Sequence, residues 1–192
     1  MIPTFTILLS LFISTMTNGQ GKTFDEKVQQ LFFDVDVSSQ HTSLVDTLAG
    51  IKELTYKQPN EYGVHRLTGI DWKHSFIFTH HPYLTNHFDT GLIDIKIREQ
   101  NNIKSVFDIS WTLQFDKLED AKKVFEELKN HFSQTKAITK VYTSDFALET
   151  AEFTDKTAKK YPYVMFMLFD NNNFDKRYKI ILGLDNEMHY EN

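Results

Sequence analysis

Two stretches of alternating residues around an asparagine turn constrain the fold of this chain more than any other feature. In residues 91–98 isoleucines alternate with charged side chains, and in residues 107–115 large apolar side chains alternate with polar ones. Successive side chains of a strand point to opposite faces of a sheet, so each stretch predicts a strand with one dry face. The turn at residues 100–102 joins the two strands into a predicted antiparallel hairpin. Its dry face is predicted to include Phe107, Ile109, Trp111 and Leu113.

Two short helices are predicted before the first strands. Thr23 and Glu26 have the spacing of a capping box, and the apolar residues after them predict a helix over 23–32. A polar segment, 38–43, then precedes a second helix. The apolar side of that helix carries Leu44, Leu48 and Ile51.

A longer helix is predicted over 117–132, after the hairpin. Asp116 is predicted to be its N-cap, with Glu119 in the reciprocal capping position. Its apolar stripe consists of Leu118, Ala121, Phe125, Leu128 and Phe132. Further strands are predicted at 75–79, 138–143, 146–153, 161–169 and 177–184. The segment 161–169 is almost wholly apolar, which predicts a central position in the sheet.

This order of elements predicts an α+β fold in which antiparallel sheets of hairpins have helices packed on one face. A second asparagine turn at 171–173 repeats the one at 100–102. The sequence therefore leaves open either one undivided domain or two tandem halves of helix plus sheet, 23–115 and 116–185. In element order alone the chain resembles the β-lactamase inhibitor proteins, which are secreted tandems of helix-loop-helix units on antiparallel sheets. No shared motif carries any residue role over from that resemblance.

Composition limits the classes of function. The 192 residues suit a single domain, and 21 basic against 26 acidic side chains give a net charge of −5. That balance argues against a nucleic-acid partner, because such proteins carry a basic footprint. The chain has no cysteine, so disulfides, thiolate metal sites and cysteine nucleophiles are excluded.

Residues 1–20 contain no charged side chain, although 24% of the whole chain is charged. Their apolar stretch has about the length of a signal-peptide core and is too short to span a bilayer. We therefore expect a signal peptide over 1–20, a mature domain over 21–192, and export to a periplasm or the medium. No stable membrane insertion is expected after the signal is removed.

The densest cluster of chemically capable side chains lies between residues 71 and 89. A metal-dependent or hydrolytic enzyme would use His74, His80, His87 and Asp89, because imidazole and carboxylate are common ligands of transition metals. The spacing matches no established ligand motif, so we favour a surface loop over 80–87 that holds no metal. No cofactor is expected.

Asp34, Asp36 and Ser38 resemble the opening of a calcium-binding EF-hand loop. Ser39 stands where that loop needs glycine and Val45 where it needs glutamate, which argues against calcium. A short edge strand explains the same residues. The common motifs of serine hydrolases, zinc proteases and nucleotide-binding loops are absent from the sequence.

The expected function is therefore that of an exported, non-enzymatic binding domain. Its partner is expected to be a protein or a glycan of the cell envelope or the surroundings, bound through an open sheet face or hairpin loops. Two groups of side chains are candidates for that surface. Lys96 and Arg98 are expected to meet Asp108 or Glu149 on the wet face. The tyrosines could form an aromatic platform or belong to the core: Tyr142, Tyr161, Tyr163 and Tyr178.

Overall fold

The computed structural model describes residues 22–38, 42–65, 69–170 and 177–185, so the predicted signal peptide lies outside the described residues. Three helices and eight strands are present in the described part. The helices are α1 (Phe24–Leu31), α2 (Ser43–Ala49) and α3 (Leu118–Ser133). The strands are β1 (Thr55–His65), β2 (Gly69–Phe78), β3 (Thr90–Gln100), β4 (Ile103–Phe115), β5 (Ile138–Tyr142), β6 (Glu149–Thr154), β7 (Tyr163–Phe169) and β8 (Tyr178–Asp185).

All eight strands form one antiparallel sheet in the order β1-β2-β3-β4-β8-β7-β6-β5. The central pair is β4 with β8, which are joined in register from Trp111 opposite Leu182 to Phe115 opposite Tyr178. β7 lies between β6 and β8, so the apolar segment predicted to be central is an interior strand. The ends of β5 to β8 differ from the predicted ends by up to three residues. Antiparallel sheet combined with helices confirms the α+β class.

The hairpin of β3 and β4 is confirmed, and its turn is Asn101-Asn102. Both residues have positive φ, 52° and 63°. A two-residue hairpin turn of this kind needs positive φ at both positions, which asparagine tolerates better than most residues. The asparagines therefore determine where the chain reverses.

The dry face predicted for β4 is wrong at one residue. The register between β3 and β4 shifts after Lys96 opposite Asp108, so that Ile97 lies opposite Val106 and Phe107 is left without a direct partner. Such a bulge reverses which face the following side chains occupy. Val106 is consequently buried, whereas Phe107 is 43% exposed with the guanidinium of Arg98 over its ring.

The two predicted helix starts have different outcomes. At α1 the capping box is confirmed: Glu26 N–H donates to the Thr23 hydroxyl, and Thr23 N–H donates to the Glu26 carboxylate. At α3 the predicted box is wrong, since Lys117 is the N-cap and makes no side-chain capping hydrogen bond among the described residues. The Asp116 carboxylate instead contacts Arg177 at 3.3 Å, and the Asp116 N–H donates to the carboxylate of Asp89, 2.6 Å away.

One hydrophobic cluster contains the buried apolar side chains of all three helices and of β2–β4 and β6–β8. Phe132 of α3 lies near its centre, with ring centroids 5.2 Å from Phe24 of α1 and 5.5 Å from Phe166 of β7. Four of the five residues predicted for the α3 stripe are buried, and Leu118 is half-buried. In the part of the chain that the structure describes, none of the helices combines the length and apolar character that crossing a bilayer requires.

The contrast between two phenylalanines tests this packing. Phe125 is 1% exposed on α3, so we expect Phe125→Ala to lower the free energy of unfolding by about 3 to 5 kcal/mol. Phe107→Ala, the matched control on the bulge, should cost about 1 kcal/mol or less. Urea unfolding monitored by circular dichroism measures both. Equal losses in the two variants would contradict the bulge and return Phe107 to the core.

Candidate interaction surface

The histidines proposed as a possible metal site lie on different parts of the structure. His74 is on β2 and its Nδ1 is 2.8 Å from the hydroxyl of Tyr56. His80 and His87 are exposed after β2, and Nε2 of His87 lies 3.4 Å from the Asp89 carboxylate. Among the described residues, no three histidine, aspartate or glutamate side chains are close enough to hold one metal ion.

His81 corrects the expectation that 80–87 is wholly a surface loop, because its side chain is completely buried. Nδ1 accepts from the N–H of Tyr83, and Nε2 donates to the carbonyl of Leu31. Both partners suit a neutral ring with its proton on Nε2. Burial lowers the pKa of His81 to about 4, although the Leu31 carbonyl favours the protonated form. His81 therefore joins the loop to the end of α1.

Two carboxylates hold the rest of this loop. Asp89 caps the N–H of Asp116, as described above, and its own N–H donates to the carbonyl of Gln114. Glu127 of α3 accepts four hydrogen bonds, two from Thr85 and two from Asn86. Burial alone would raise the pKa of Glu127, but these four donors outweigh it and lower the pKa. Asp89 thus joins this loop to the segment that precedes α3.

The residues that resemble an EF-hand opening connect the segment after α1 to the segment before β7. The chain from 34 to 37 contains turns, so the predicted edge strand is wrong. Asp36 accepts from the backbone and hydroxyl of Ser38, from the ammonium of Lys160 and from the hydroxyl of Tyr161. Burial would raise the pKa of Asp36, yet these donors lower it well below its usual range. A carboxylate with this many protein donors is already satisfied.

The four tyrosines do not share one platform. Tyr161 is fully buried against Asp36, and Tyr178 packs against the hydrophobic cluster opposite Phe115. Tyr142 is exposed on β5, and Tyr163 is half-buried on β7. The aromatic platform is therefore wrong for at least Tyr161 and Tyr178.

A cavity of about 380 Å³ lies beside α2 and contains His74 in its wall. Its apolar lining includes Val45, Trp72 and Ile97. Burial lowers the pKa of His74, with Lys104 acting in the same direction. Its imidazole is therefore more readily neutral than that of a free histidine.

The clearest surface feature is the face of the sheet opposite the hydrophobic cluster, here called the outer face. One row of side chains crosses all eight strands on this face, linked by successive cross-strand pairs. The row consists of Thr55, Ile77, Leu92, Thr112, Ile181, Met167, Thr150 and Tyr142. It has no charged member, which is unusual for a sheet face outside the hydrophobic cluster, and one member, Thr150, is itself buried.

Five half-buried side chains on β7 and β8 widen this row into an apolar area, here called the methionine patch. Its members are Tyr163, Met165, Met167, Phe169 and Ile181. Gly183 lies opposite Met165, and a Cβ there would come within 3.3 Å of the Met165 methyl group. The glycine therefore leaves room for that side chain to lie across β8.

Ion pairs cover the other half of the outer face, on β2, β3 and β4. Lys96 contacts Asp108 at 2.7 Å, as expected from the sequence, whereas Arg98 forms two hydrogen bonds with Asp71. The remaining pair joins Lys73 to Asp94. Glu149, the other expected partner, contacts Lys129 of α3. The outer face thus has a half covered by ion pairs and a half centred on the apolar methionine patch. Glu152 lies opposite Met165 and Lys179 opposite Phe169 at the margin of that patch.

Sequence reasoning did not find the methionine patch, although a signal was present. The segment 161–169 is apolar at nearly every position, so both of its faces are apolar. We interpreted that run as burial on both sides, which is the usual meaning of a continuous apolar strand. In the structure its alternate residues are buried and half-buried.

Comparison with protein-family models, with curated proteins and with solved structures found no match to this chain. The resemblance in element order noted above therefore has no support from these comparisons.

The burial of His81 predicts a pH dependence of folding. The unfolded chain binds a proton at this ring below about pH 6.5, whereas the folded chain does so only below about pH 4. Stability present above pH 6.5 is therefore lost as the pH falls toward 4, by up to about 1.4 kcal/mol per pH unit.

Urea unfolding between pH 7 and pH 4.5 measures this dependence. We expect His81→Gln to lose stability at pH 7 but to show a shallower decline with falling pH than the unmodified chain. His131 contributes part of the loss of stability with falling pH in both proteins, because burial lowers its pKa to about 4 as well. His80→Gln is the control on an exposed neighbour. An unchanged slope in His81→Gln would contradict a neutral buried ring.

Proposed function

We propose that this chain is an exported, non-enzymatic domain that binds a protein partner through the outer face of its sheet. The observation that carries the proposal is the methionine patch lying beside a half-sheet of ion pairs on one continuous surface. Apolar areas of this kind, rimmed by charge, are typical of interaction sites on otherwise soluble domains.

The packing of the helices supports an open outer face. α3 contacts β4, β7 and β8, and α2 contacts β2. The buried residues of the helices belong to the same cluster as Phe76, Ile95 and Leu182 on the inner side of the strands. These contacts support an arrangement in which all three helices pack on that inner face.

The strand order supports two tandem halves, 23–115 and 116–185. Each half consists of helix followed by a four-stranded meander, and the order of the strands is mirrored about the β4–β8 pair. A pseudo-two-fold axis between these strands accounts for that arrangement. The halves differ in helix number, with two in the first and one in the second.

A protein is favoured over a glycan because of the chemistry of the patch. Methionine side chains are flexible and polarizable, so they adapt to varied apolar surfaces. Sugar recognition depends on polar groups that fix orientation, whereas Met165, Met167 and Ile181 supply only apolar contact. The paired charges on β2 to β4 would orient a partner of complementary charge pattern.

Export rests on residues 1–20 and is tested directly. The chain produced in a bacterial host with its own N-terminus should be recovered outside the cytoplasm. Mass spectrometry of the mature protein should then give a first residue at Gln20 or Gly21. Retention of Met1 in a cytoplasmic product would contradict the proposed localisation.

Binding is tested with a protein recovered from envelope extract on the immobilised chain, then identified, purified and titrated by calorimetry. We expect Ile181→Asp and Met167→Glu each to raise Kd at least about tenfold, because each introduces a charge into an apolar contact. Circular dichroism confirms that the variants remain folded.

Ile103→Asp is the control, since Ile103 is an exposed isoleucine at the tip of the β3–β4 hairpin. It should bind like the unmodified chain. If Ile103→Asp alone weakens binding, the hairpin loop is the interface and the outer face is not. Binding to glycans with no protein partner recovered would contradict the proposed partner class.

A further inference from the structure

Exposed hydrophobic side chains concentrate at one edge of the sheet. Five of the nine large hydrophobic side chains recorded as exposed in the described part of the chain lie within residues 138–148. They are Ile138, Val141, Tyr142, Phe146 and Leu148. Phe146 is 86% exposed, and every residue of β5 is exposed. Single exposed hydrophobic residues are ordinary, but a cluster of this size marks an interaction surface.

The two edges of the sheet differ in their protection against pairing. β1 carries Lys57 and Pro59, and its register with β2 shifts twice, before Asn60 and before Gly63. Lysine, proline and bulges are the features that prevent an edge strand from pairing with another chain. β5 pairs with β6 in an unbroken register and contains no proline. Only Lys140 interrupts its apolar and hydroxyl side chains.

We propose that β5 is the site at which two copies of this chain associate, by antiparallel pairing of their β5 strands into one continuous sheet. An edge strand presents unpaired backbone N–H and C=O groups along its outer side, and a second strand satisfies them. This contact lies at the edge of the sheet, separate from the methionine patch on β7 and β8 through which the proposed function binds the protein partner.

The side chains of β5 favour a second copy in one particular register. Centred on Val141, the pairing places Val141 opposite its own equivalent, Lys140 opposite Tyr142, and Thr139 opposite Thr143. Pairs of β-branched residues, threonine pairs and a cation beside an aromatic ring are all favourable across strands. A register centred on Lys140 would oppose two ammonium groups, and one centred on Thr139 would oppose Lys140 with Ile138.

Charge complementarity supports the same register. The Tyr142 hydroxyl donates to the Glu152 carboxylate at 2.6 Å, and Glu152 lies opposite Lys140 on β6. In the paired dimer, the Lys140 ammonium of each copy therefore lies beside the Tyr142–Glu152 pair of the other copy. Ile138 would lie opposite Ser144 of the second copy, two residues from the exposed Phe146.

Sedimentation velocity over concentrations up to about 100 µM tests the association. Because β5 has only five residues, we expect a dimer with Kd in the micromolar range. Val141→Lys should abolish the dimer by placing two ammonium groups opposite each other. Val141 is 48% exposed, so thermal unfolding should show a folded monomer. Ile103→Lys, a matched apolar-to-lysine change at the hairpin tip, should leave the dimer intact.

Cysteine cross-linking tests the register, and the cysteine-free chain gives no background. Val141→Cys should form a disulfide-linked dimer on mild oxidation, much faster than Thr139→Cys or Ile103→Cys. A monomer at all concentrations would overturn the proposal, as would a dimer that survives Val141→Lys. Faster cross-linking of Thr139→Cys would overturn the register centred on Val141. Pairing of β5 with an extended segment of another protein, with no self-association, would overturn the second copy as its occupant.

Discussion

The pairing of β4 with β8 is the interaction on which the rest of the structure depends. In the described part of the chain it is the one strand contact that joins β1–β4 to β5–β8, and it extends over five residue pairs. Its inner side aligns Trp111 with Leu182 and then with Phe166 on β7, all essentially buried. A slip of one residue would move these side chains to the outer face. The register of this pair therefore determines both the core and the composition of the outer face.

Polar contacts outside the sheet join the same two parts of the chain. Asp25 of α1 accepts from the backbone N–H groups of Lys159, Lys160 and Tyr161, and Asp36 contacts Lys160 and Tyr161 through their side chains. Because Tyr161 is fully buried, its hydroxyl requires a partner, and Asp36 supplies it. The segment that follows α1 is therefore held against the segment that precedes β7, independently of strand pairing.

Periodicity in the sequence was sufficient to predict most elements, but neither β1 nor the arrangement of the strands. The β3–β4 hairpin and the stripe of α3 were predicted because apolar spacing and turn residues act locally. The bulge at Phe107 was not, because it depends on how β3 and β4 match along their length. Likewise, Asp116 has a good capping side chain, but its carboxylate contacts Arg177 from a distant segment and does not cap α3. Such outcomes depend on contacts distant in sequence.

The histidine region shows the same limit for a functional site. Adjacent His80 and His81 carry the same side chain, yet one is exposed and the other is completely buried. The difference arises from the carbonyl of Leu31, fifty residues away, and from packing against Phe33 and Phe78. The outer face was harder still to predict, since its row of side chains requires the order and register of all eight strands.

Pairing through β5 would have a geometric consequence for the outer face. Residues opposite each other in an antiparallel pair point to the same side, so the two-fold axis lies perpendicular to the sheet. Both methionine patches would then face the same direction on one continuous surface. A partner that repeats its own binding element could contact both, and the second contact would benefit from a high effective concentration. Weak individual contacts through adaptable methionine side chains would suffice for strong binding of such a partner, which links the two surfaces without requiring either to bind tightly alone.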